Sequence, residues 1–450
     1  MTALATVSIP YGQGKIEAHI PKSNLQAVVE LRDLKALSHP ENAIRAAIDN
    51  PINCDKISQM AGKGDKIAIA VPDIFHKGAY SALTLAIILS ELHSLGVRRE
   101  DITIIDAIGV HRPNTPEEFE AIVGREICEK YRVVNHDGRD KNNLVDLGRS
   151  KLGDPVIMNR LVAESDLFIG IADLTPVPTA GYSGGSKMIG VGCASLETIS
   201  YTHSLSIYWH PKSRCGVYVD NPFRDHLDAI TRRAESESKS GKLFFVNVVV
   251  NGKGEVIGAN AGDVIDSYLK GCTLADRQWK FPLREAADMV IAGAGYPHDG
   301  SPYNISLSTS MLVLYPKPVF RQGGVVIFSA PCDEPIKEGS SDLAFITAMR
   351  NAFSIEDIYN LMKEYEKKGE LTPFGIQRAY GTALVVSRAR EVLVVGPKVP
   401  GVVRDMLHTP VKTMDEALKR AFEELGSSAK VLVAPTVRLG GCPVIDIQKD

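Results

Sequence analysis

The sequence has no long apolar run, no strong excess of either charge and no secretory signal. No stretch of about 18 consecutive apolar residues occurs, and the first residues lack a basic region followed by an apolar core. The 51 Lys and Arg residues are nearly balanced by 54 Asp and Glu residues, which gives a net charge of −3. We therefore predict a cytoplasmic protein that has neither a membrane nor a nucleic acid as its partner.

The seven cysteines are scattered along the chain, and no two of them have C-x-x-C spacing. This pattern predicts neither a disulfide framework nor a thiolate zinc site. At 450 residues the chain is long enough to bury more than one core, so two large domains or three smaller ones are both acceptable.

Short apolar runs alternate with helical stretches, and this alternation predicts an α/β fold. The runs that fit buried strands are residues 66–71, 102–107, 167–174, 243–250, 288–295, 324–329, 391–395 and 430–434. A charged helical stretch at 265–285 separates two groups of runs. We therefore predict an N-terminal α/β domain over residues 1–272 and a C-terminal α/β domain over 285–427. Residues 428–450 are candidates to return to the first domain.

Residues 166–204 carry most of the candidate chemistry. An apolar strand leads into a glycine-rich loop with Gly181, Gly184 and Gly185, whose backbone N–H groups could hold an anion. Lys187 closes the loop, and its amine could neutralise a phosphate or act as a nucleophile if its pKa is depressed. His203 could bind nickel, copper, zinc or iron. A plain tight turn and a structural histidine remain open as alternatives.

Two further candidates follow predicted parallel strands, at the edge where ligands collect in open α/β sheets. Asp73 and His76 follow the strand at 66–71, and His111 and Arg112 follow the strand at 102–107. An imidazole with a pKa near neutrality can take and return a proton. Arg112 suits a phosphate or carboxylate clamp. From the residues alone, a strand-end histidine with a purely structural hydrogen bond is the favoured interpretation of His111.

These motifs together resemble the nickel-pincer lactate racemase family, and the resemblance covers nearly the whole chain. The matching segments are residues 180–187 (AGYSGGSK), 197–199 (ETI) with His203, Asp73, 109–113 (GVHRP) with Thr115, 135–137 (NHD), 221–224 (NPFR), and 295–297 (GYP) with Asp299. Each motif is weak alone, but their combination is specific.

The resemblance implies two α/β domains with the cofactor and active site in the cleft between them. The cofactor would be the nickel pincer nucleotide, pyridinium-3,5-bisthiocarboxylic acid mononucleotide nickel. By position, Lys187 would be the lysine that bonds to it covalently, and His203 would be the metal ligand. Asp73 and the amides of Gly184 and Gly185 would help to hold the nucleotide.

The reaction implied by the resemblance is racemisation or epimerisation of a secondary alcohol. The substrate would give its proton to His111 and its hydride to the cofactor, and return of the hydride to the other face would invert the carbon. The expected partners are a small hydroxy acid or polyol and the proteins that make the cofactor. The sequence makes no prediction of the oligomeric state.

The departures from the family pattern all fall in the substrate half. Val177 stands where the family has a second catalytic histidine, and His76 stands where it has an arginine. Asn304 and Leu307 replace the Gln and Lys that grip the lactate carboxylate. We therefore predict a substrate pocket of these four residues with Tyr303, and a 2-hydroxy acid or sugar acid other than lactate as the substrate.

Two other classes of protein stay open. The chain could be a relative that binds a nucleotide or metal without catalysis. It could also be an ordinary phosphosugar- or nucleotide-dependent α/β enzyme. Neither alternative explains why a lysine at the end of a glycine loop is followed sixteen residues later by His203.

Overall fold

The structure is a computed structural model, and it describes residues 3–32, 34–76, 78, 80–352, 354–438 and 442–448. The side chain of His76 lies outside the described part of the chain. No helix in these ranges is long and apolar enough to cross a membrane.

The strands alternate with helices along most of the chain, as predicted. The strands are β1 Leu4–Tyr11, β2 Gly14–Pro21, β3 Leu25–Val28, β4 Ile67–Val71, β5 Ile102–Asp106, β6 Arg132–Asn135, β7 Leu144–Arg149, β8 Pro155–Asn159, β9 Leu167–Leu174, β10 Pro176–Val177, β11 Gly181–Tyr182, β12 Leu243–Val250, β13 Val256–Gly262, β14 Lys280–Leu283, β15 Ala287–Gly293, β16 Phe320–Ser329, β17 Glu391–Val395, β18 Thr409–Val411, β19 Val431–Ala434 and β20 Val444–Ile447.

The helices lie mainly between consecutive strands of the two large sheets. They are α1 Pro40–Asp49, α2 Ile57–Met60, α3 Ser81–Ser94, α4 Pro116–Val123, α5 Arg125–Lys130, α6 Arg160–Ala163, α7 Leu196–Thr202, α8 Pro222–Glu237, α9 Val264–Trp279, α10 Pro302–Leu314, α11 Ser341–Asn351, α12 Ile355–Lys367, α13 Phe374–Arg388, α14 Pro400–Asp405 and α15 Met414–Leu425. Short 3₁₀ turns occupy Ile74–His76, Arg99–Asp101 and Lys141–Asn143, and a π-helical turn occupies Met188–Gly192.

The first large sheet has the strand order β13-β12-β9-β4-β5-β6. Its strands run parallel except for β13, which pairs antiparallel with β12. Every residue of β4 and β12 is buried, which explains why these strands are continuous apolar runs rather than alternating ones. We call this sheet and the helices that pack on it the first unit.

The second large sheet has the order β18-β17-β16-β15-β19-β3, and all its neighbouring strands are parallel. Helices α10, α11 and α13 pack against one another beside β16. The β1–β2 hairpin also packs here, through contacts with β15, β16 and α15. We call this sheet and its helices the second unit, and the two units together confirm the α/β class.

The sheet partners of two chain segments correct the sequence prediction. Residues 430–434 were expected as a candidate to return to the first unit, but β19 pairs with β15 in the second sheet. The N-terminal strand β3 pairs with β19 and so also belongs to the second sheet. Strand β20 instead pairs with β14 in a separate two-stranded sheet. The domain limits at residues 272, 285 and 427 stay a prediction.

One predicted helix is interrupted. The sequence predicts a single helix over 117–130, whereas α4 ends and α5 begins at Gly124, which has a φ of +90°. Helix α4 begins with a capping box, in which Thr115 accepts a hydrogen bond from the Glu118 backbone N–H and the Thr115 N–H donates to the Glu118 side chain. Pro116 occupies the first helical position, where its missing N–H costs nothing.

Candidate active site

The candidate residues of the first unit converge because they follow three neighbouring parallel strands. Strand β4 lies between β9 and β5 in the sheet. Asp73 follows β4, His111 follows β5, and Lys187 follows β9 after the glycine loop. Since parallel strands present their carboxyl ends at one edge, the sheet order brings these residues together.

The Asp73 carboxylate lies against the His111 ring. His111 Nδ1 is 2.5 Å from Asp73 Oδ2, and the Asp73 side chain is almost completely buried. Because a carboxylate can only accept this hydrogen bond, Nδ1 carries the proton and Nε2 keeps its lone pair in the neutral ring. The ring of Phe75 meets His111 edge-on, with 5.3 Å between centroids. His111 is therefore held in one orientation with Nε2 as its basic atom.

A second carboxyl group lies close to this pair. Asp106, the last residue of β5, is fully buried, and neither of its carboxyl oxygens has a hydrogen-bond partner among the described residues. Burial, followed by the charges of Asp73 and Glu118, raises the pKa of Asp106 to about 8. Asp106 is therefore protonated at neutral pH. The negative charge beside His111 belongs to Asp73.

Packing underneath the glycine loop explains why it contains glycine. Gly181 has a φ of +75°, and a Cβ there would lie 2.4 Å from the carbonyl oxygen of Val217. A Cβ on Gly185 would lie 2.9 Å from the Tyr268 ring, and one on Gly184 would be 2.9 Å from the Asn247 side chain. The predicted contact of Gly184 and Gly185 with a nucleotide stays a prediction.

A buried arginine supports the same loop from below. Arg224 is 1% exposed and donates hydrogen bonds to the carbonyl oxygens of Ala180, Tyr182 and Gly184, at 2.9, 2.6 and 3.1 Å. Its guanidinium carbon also lies 4.1 Å from the centre of the Tyr268 ring. The loop that leads to Lys187 is therefore fixed by charge-assisted hydrogen bonds.

The Lys187 amine has a lowered pKa. Burial, opposed by the Asp73 charge and reinforced by the Arg224 guanidinium, lowers the pKa of Lys187 to about 8. Half of the amine groups are therefore neutral near pH 8, compared with very few for an ordinary lysine. A neutral amine is the form that attacks an electrophile.

His203 lies directly after α7 and has a defined tautomer. Its Nδ1 lies 2.9 Å from the carbonyl oxygen of Ile199, one turn earlier. A carbonyl oxygen only accepts, so Nδ1 carries the proton and Nε2 is left as a potential metal ligand. The ring stacks on Tyr208 with 4.9 Å between centroids and meets Phe223 edge-on at 5.2 Å.

His203 lies within electrostatic range of the other two residues. Burial, together with the charges of Lys187 and His111 and against the effect of the bond to Ile199, lowers the pKa of His203 to about 4. His203 is therefore neutral at physiological pH, as a metal ligand must be. No cluster of three His, Cys, Asp or Glu side chains that could hold a metal occurs within the described ranges. Among the described residues, His203 is thus the candidate metal ligand of this site.

The predicted substrate residues lie on both units. Val177 is buried in β10, within an apolar cluster that includes Phe223 and is contacted by Tyr208. Tyr303, Asn304 and Leu307 lie in the first turns of α10 in the second unit, and Leu307 is buried. His76 cannot be placed, because its side chain lies outside the described residues.

Other sequence candidates have structural partners. Arg112 donates to both carboxylate oxygens of Glu118, at 2.7 and 2.6 Å, so its charge is already neutralised within the chain. His136 is buried, and its two ring nitrogens bond with the Ala194 carbonyl oxygen and the Asn159 amide. These contacts indicate a structural role for His136.

Sequence reasoning missed two residues of α13. The ring of Phe374 lies 6.5 Å from the His111 ring, between centroids, and brings the second unit to the candidate base. Arg378 follows one turn later, and its Nε donates to the Tyr303 hydroxyl at 3.4 Å. Phe374 and Arg378 are four residues apart, which places both side chains on one face of a helix. Nothing in the sequence indicated what that face contacts.

Comparisons with known proteins agree along almost the whole chain. The family model described as lactate racemase N-terminal domain matches residues 11–216, and the model described as lactate racemase C-terminal domain matches residues 283–440. Lactate racemases of Thermoanaerobacterium thermosaccharolyticum and Lactiplantibacillus plantarum are each 27% identical, over 434 and 441 residues, which is 96% of this chain and 98% of each relative.

Solved structures show the same fold. The lactate racemase apoprotein from Thermoanaerobacterium thermosaccharolyticum superposes with a TM-score of 0.82 at 27% identity, covering 98% of this chain and all of the other. A protein from Thermotoga maritima superposes with a TM-score of 0.65 at 18% identity over 92% of this chain and all of the other, which is a likeness of fold alone.

Proposed function

The chain belongs to the lactate racemase family of isomerases, and from that premise we propose that it is a nickel-pincer-nucleotide-dependent racemase or epimerase. It inverts a secondary-alcohol carbon of a 2-hydroxy acid or sugar acid by abstraction and return of a hydride. The observation that carries the proposal is the proximity of Lys187, His203 and His111, because the charges of the first and last both act on the His203 ring.

Family membership implies a metal cofactor, and the residues present fit this one. Lys187 offers an amine whose lowered pKa suits covalent attachment. His203 offers a neutral imidazole with Nε2 available. Because the described residues provide no cluster of three metal-binding side chains, a nickel ion here would take its other ligands from an organic group. When bound, the nucleotide supplies the acceptor and donor of the hydride.

His111 performs the proton transfer. With Nδ1 held in its protonated form by Asp73, Nε2 accepts the substrate hydroxyl proton as the alcohol carbon becomes a carbonyl. The same atom returns the proton when the carbonyl is reduced again. General acid–base catalysis of this kind contributes roughly 100- to 10,000-fold to a rate. The Asp73 carboxylate also stabilises the imidazolium that forms in between.

The substrate pocket argues against lactate. Val177 and Leu307 are 8% and 7% exposed, and their aliphatic side chains make part of the predicted pocket apolar, which a molecule as small as lactate does not need. Asn304 at the start of α10 can still bond with a hydroxyl group. A pocket that is partly apolar and partly polar suits a larger 2-hydroxy acid or a sugar acid.

The first test is the mass and metal content of protein made together with the cofactor-making proteins. Lys187→Ala should abolish the covalent adduct seen by intact mass spectrometry. His203→Ala should keep the adduct but lose nickel, because it removes only the metal ligand. An unchanged adduct mass in the Lys187 variant would contradict the assignment.

The second test follows the substrate. Holoenzyme is incubated with candidate hydroxy acids in deuterium oxide, and configuration is followed by chiral chromatography. Internal return of the hydride should invert the centre without placing deuterium on carbon. Deuterium at the inverted carbon would overturn the hydride mechanism, and efficient racemisation of lactate would overturn the substrate assignment.

A further inference from the structure

Arg378, which pairs with no carboxylate of the described residues, faces the site from the second unit. Arg378 lies on α13, partly buried, and no Asp or Glu among the described residues pairs with its guanidinium. Arg112 shows the contrast, since Glu118 neutralises it with two hydrogen bonds. A partly buried cation without a counter-ion is costly unless an anion arrives. Arg378 therefore needs an explanation.

Two tyrosine hydroxyls orient the guanidinium. Its Nε lies 3.4 Å from the Tyr303 hydroxyl, and its central carbon is 5.5 Å from the centre of the Tyr303 ring. The Tyr208 hydroxyl is close enough to interact favourably with the charged guanidinium. Neither hydroxyl neutralises the charge. They hold the planar fork in place and leave further N–H donors for a bidentate acceptor.

Two neighbours of Arg378 connect it to His111 and to His203. Phe374, one turn earlier on α13, contacts the His111 ring. Tyr208, which interacts with the Arg378 guanidinium, stacks on the His203 ring. Arg378 is thus one side chain away from the base and one side chain away from the metal ligand. An anion held by it would lie on the side of α13 that faces these two residues.

The neighbouring helix α10 supplies no cation to this part of the molecule. Asn304 and Leu307, in its first turns, are uncharged, and Leu307 is buried. Tyr303, the residue just before them, bonds with Arg378. The positive charge is absent from α10 and present on the neighbouring α13.

We propose that Arg378, oriented by Tyr303 and Tyr208, is the binding site for the carboxylate of the substrate. The inference rests on the proposed function and narrows it, because it requires an anionic hydroxy acid and excludes a neutral polyol. A carboxylate fits the guanidinium fork with two parallel hydrogen bonds. Arg378 thereby determines substrate specificity, and it is not one of the residues in which the sequence departs from the family pattern.

The experiment compares matched anionic and neutral compounds. Gluconate and phenyllactate are titrated by calorimetry into wild-type holoenzyme, beside their neutral counterparts glucitol and 3-phenylpropane-1,2-diol. At least one of the acids should bind, and its neutral counterpart should bind about 10- to 100-fold more weakly. Arg378→Gln should remove this preference, and Arg378→Lys should restore part of it, because the charge remains without the fork.

The control is Arg350→Gln, which removes the same charge from an exposed arginine that is paired with Asp405 at 2.7 Å. The Arg350→Gln variant should bind each acid and each neutral counterpart as the wild type does. If inversion is detected, Arg378→Gln should raise KM for the acid by a similar factor and change kcat less. Intact mass and nickel content should equal those of the wild type, which separates this role from a collapse of the site.

Two results would overturn the proposal. One is equal binding of acid and neutral counterpart to the wild type, or no binding of either acid. The other is unchanged acid binding in Arg378→Gln. Failure of the proposed function looks different, since it shows as absence of the cofactor adduct or of inversion, while the binding comparison still decides the role of Arg378.

Discussion

At the scale of single side chains, the site depends on the tautomers of two histidines. Asp73 fixes the proton of His111 on Nδ1, and the Ile199 carbonyl does the same for His203. Both rings therefore keep Nε2 for chemistry. The sequence named both histidines through their motifs. It could not name the partner of His111, because Asp73 is 38 residues away in the chain and meets it only through the order of the strands.

His111→Gln should lower the rate of inversion by at least about a hundredfold, because the amide cannot accept a proton and Val177 offers no substitute. Cofactor mass and nickel content should remain near those of the wild type. His93→Gln is the control, since His93 bonds with Val97 and Tyr131 at the far end of α3. If His76 or His298 is the second acid/base, its substitution should cost a similar factor. A near-normal rate in the His111 variant would rule out its role.

The pKa of Lys187 gives a prediction that needs no cofactor. Labelling of the apoprotein with an aldehyde and borohydride should rise with pH at Lys187 with a midpoint at about 8. The neutral amine is the reactive form. A lowered pKa therefore shifts the labelling curve of Lys187 to lower pH. Ordinary lysines have a pKa of about 10.4 and should react later. Peptide mapping measures each site, and a Lys187 midpoint near 10 would contradict the environment described here.

At the scale of elements, the glycine loop has a packing role that its sequence did not reveal. Its sequence predicts an anion cradle, which stays a prediction, and the structure adds that Gly181, Gly184 and Gly185 are required by close packing below the loop. The sequence also located β4, β5, β9, β12 and β15 from their apolar runs. It missed β3, whose four residues are only half-buried and which gains its place by pairing with β19, roughly 400 residues later in the chain.

Gly181→Ala should destabilise the protein by roughly 3 kcal/mol or more, because it adds a clash with the Val217 carbonyl to the cost of a positive φ. Gly426→Ala is the matched control. Gly426 has a φ of +88° but nothing within 4 Å of its Cβ position, so only the backbone cost of about 1–2 kcal/mol applies. Urea unfolding of both variants measures the difference, and equal shifts would show that the loop relaxes around the added methyl group.

At the scale of the whole molecule, the segment after His203 ties the two units together. The Leu205 backbone N–H bonds with Glu366, Trp209 meets the Tyr380 ring edge-on at 5.1 Å, and the Cys215 N–H donates to the Leu314 carbonyl at 2.9 Å. These contacts join residues more than 90 positions apart in the chain. That distance is why sequence reasoning found the candidates of the first unit and missed Phe374 and Arg378.

Trp209→Ala should speed hydrogen–deuterium exchange across residues 203–217, because it removes an edge-to-face contact worth about 0.5–1.5 kcal/mol beyond the buried area. Holoenzyme should also lose nickel faster, although Trp209 is not a metal ligand. Trp209→Phe keeps an aromatic edge and should stay near the wild type. Exchange that rises equally in the strands of the first sheet would indicate general destabilisation instead.

The placement of the site residues has a consequence for how such a protein can change over evolutionary time. Lys187 and His203 belong to the first unit, whereas Tyr303, Leu307 and Arg378 belong to the second. Substitutions on α10 and α13 can therefore alter the proposed substrate pocket without disturbing the two residues that we propose hold the cofactor. Related proteins with this arrangement can therefore change their substrate while they keep the same cofactor-binding residues.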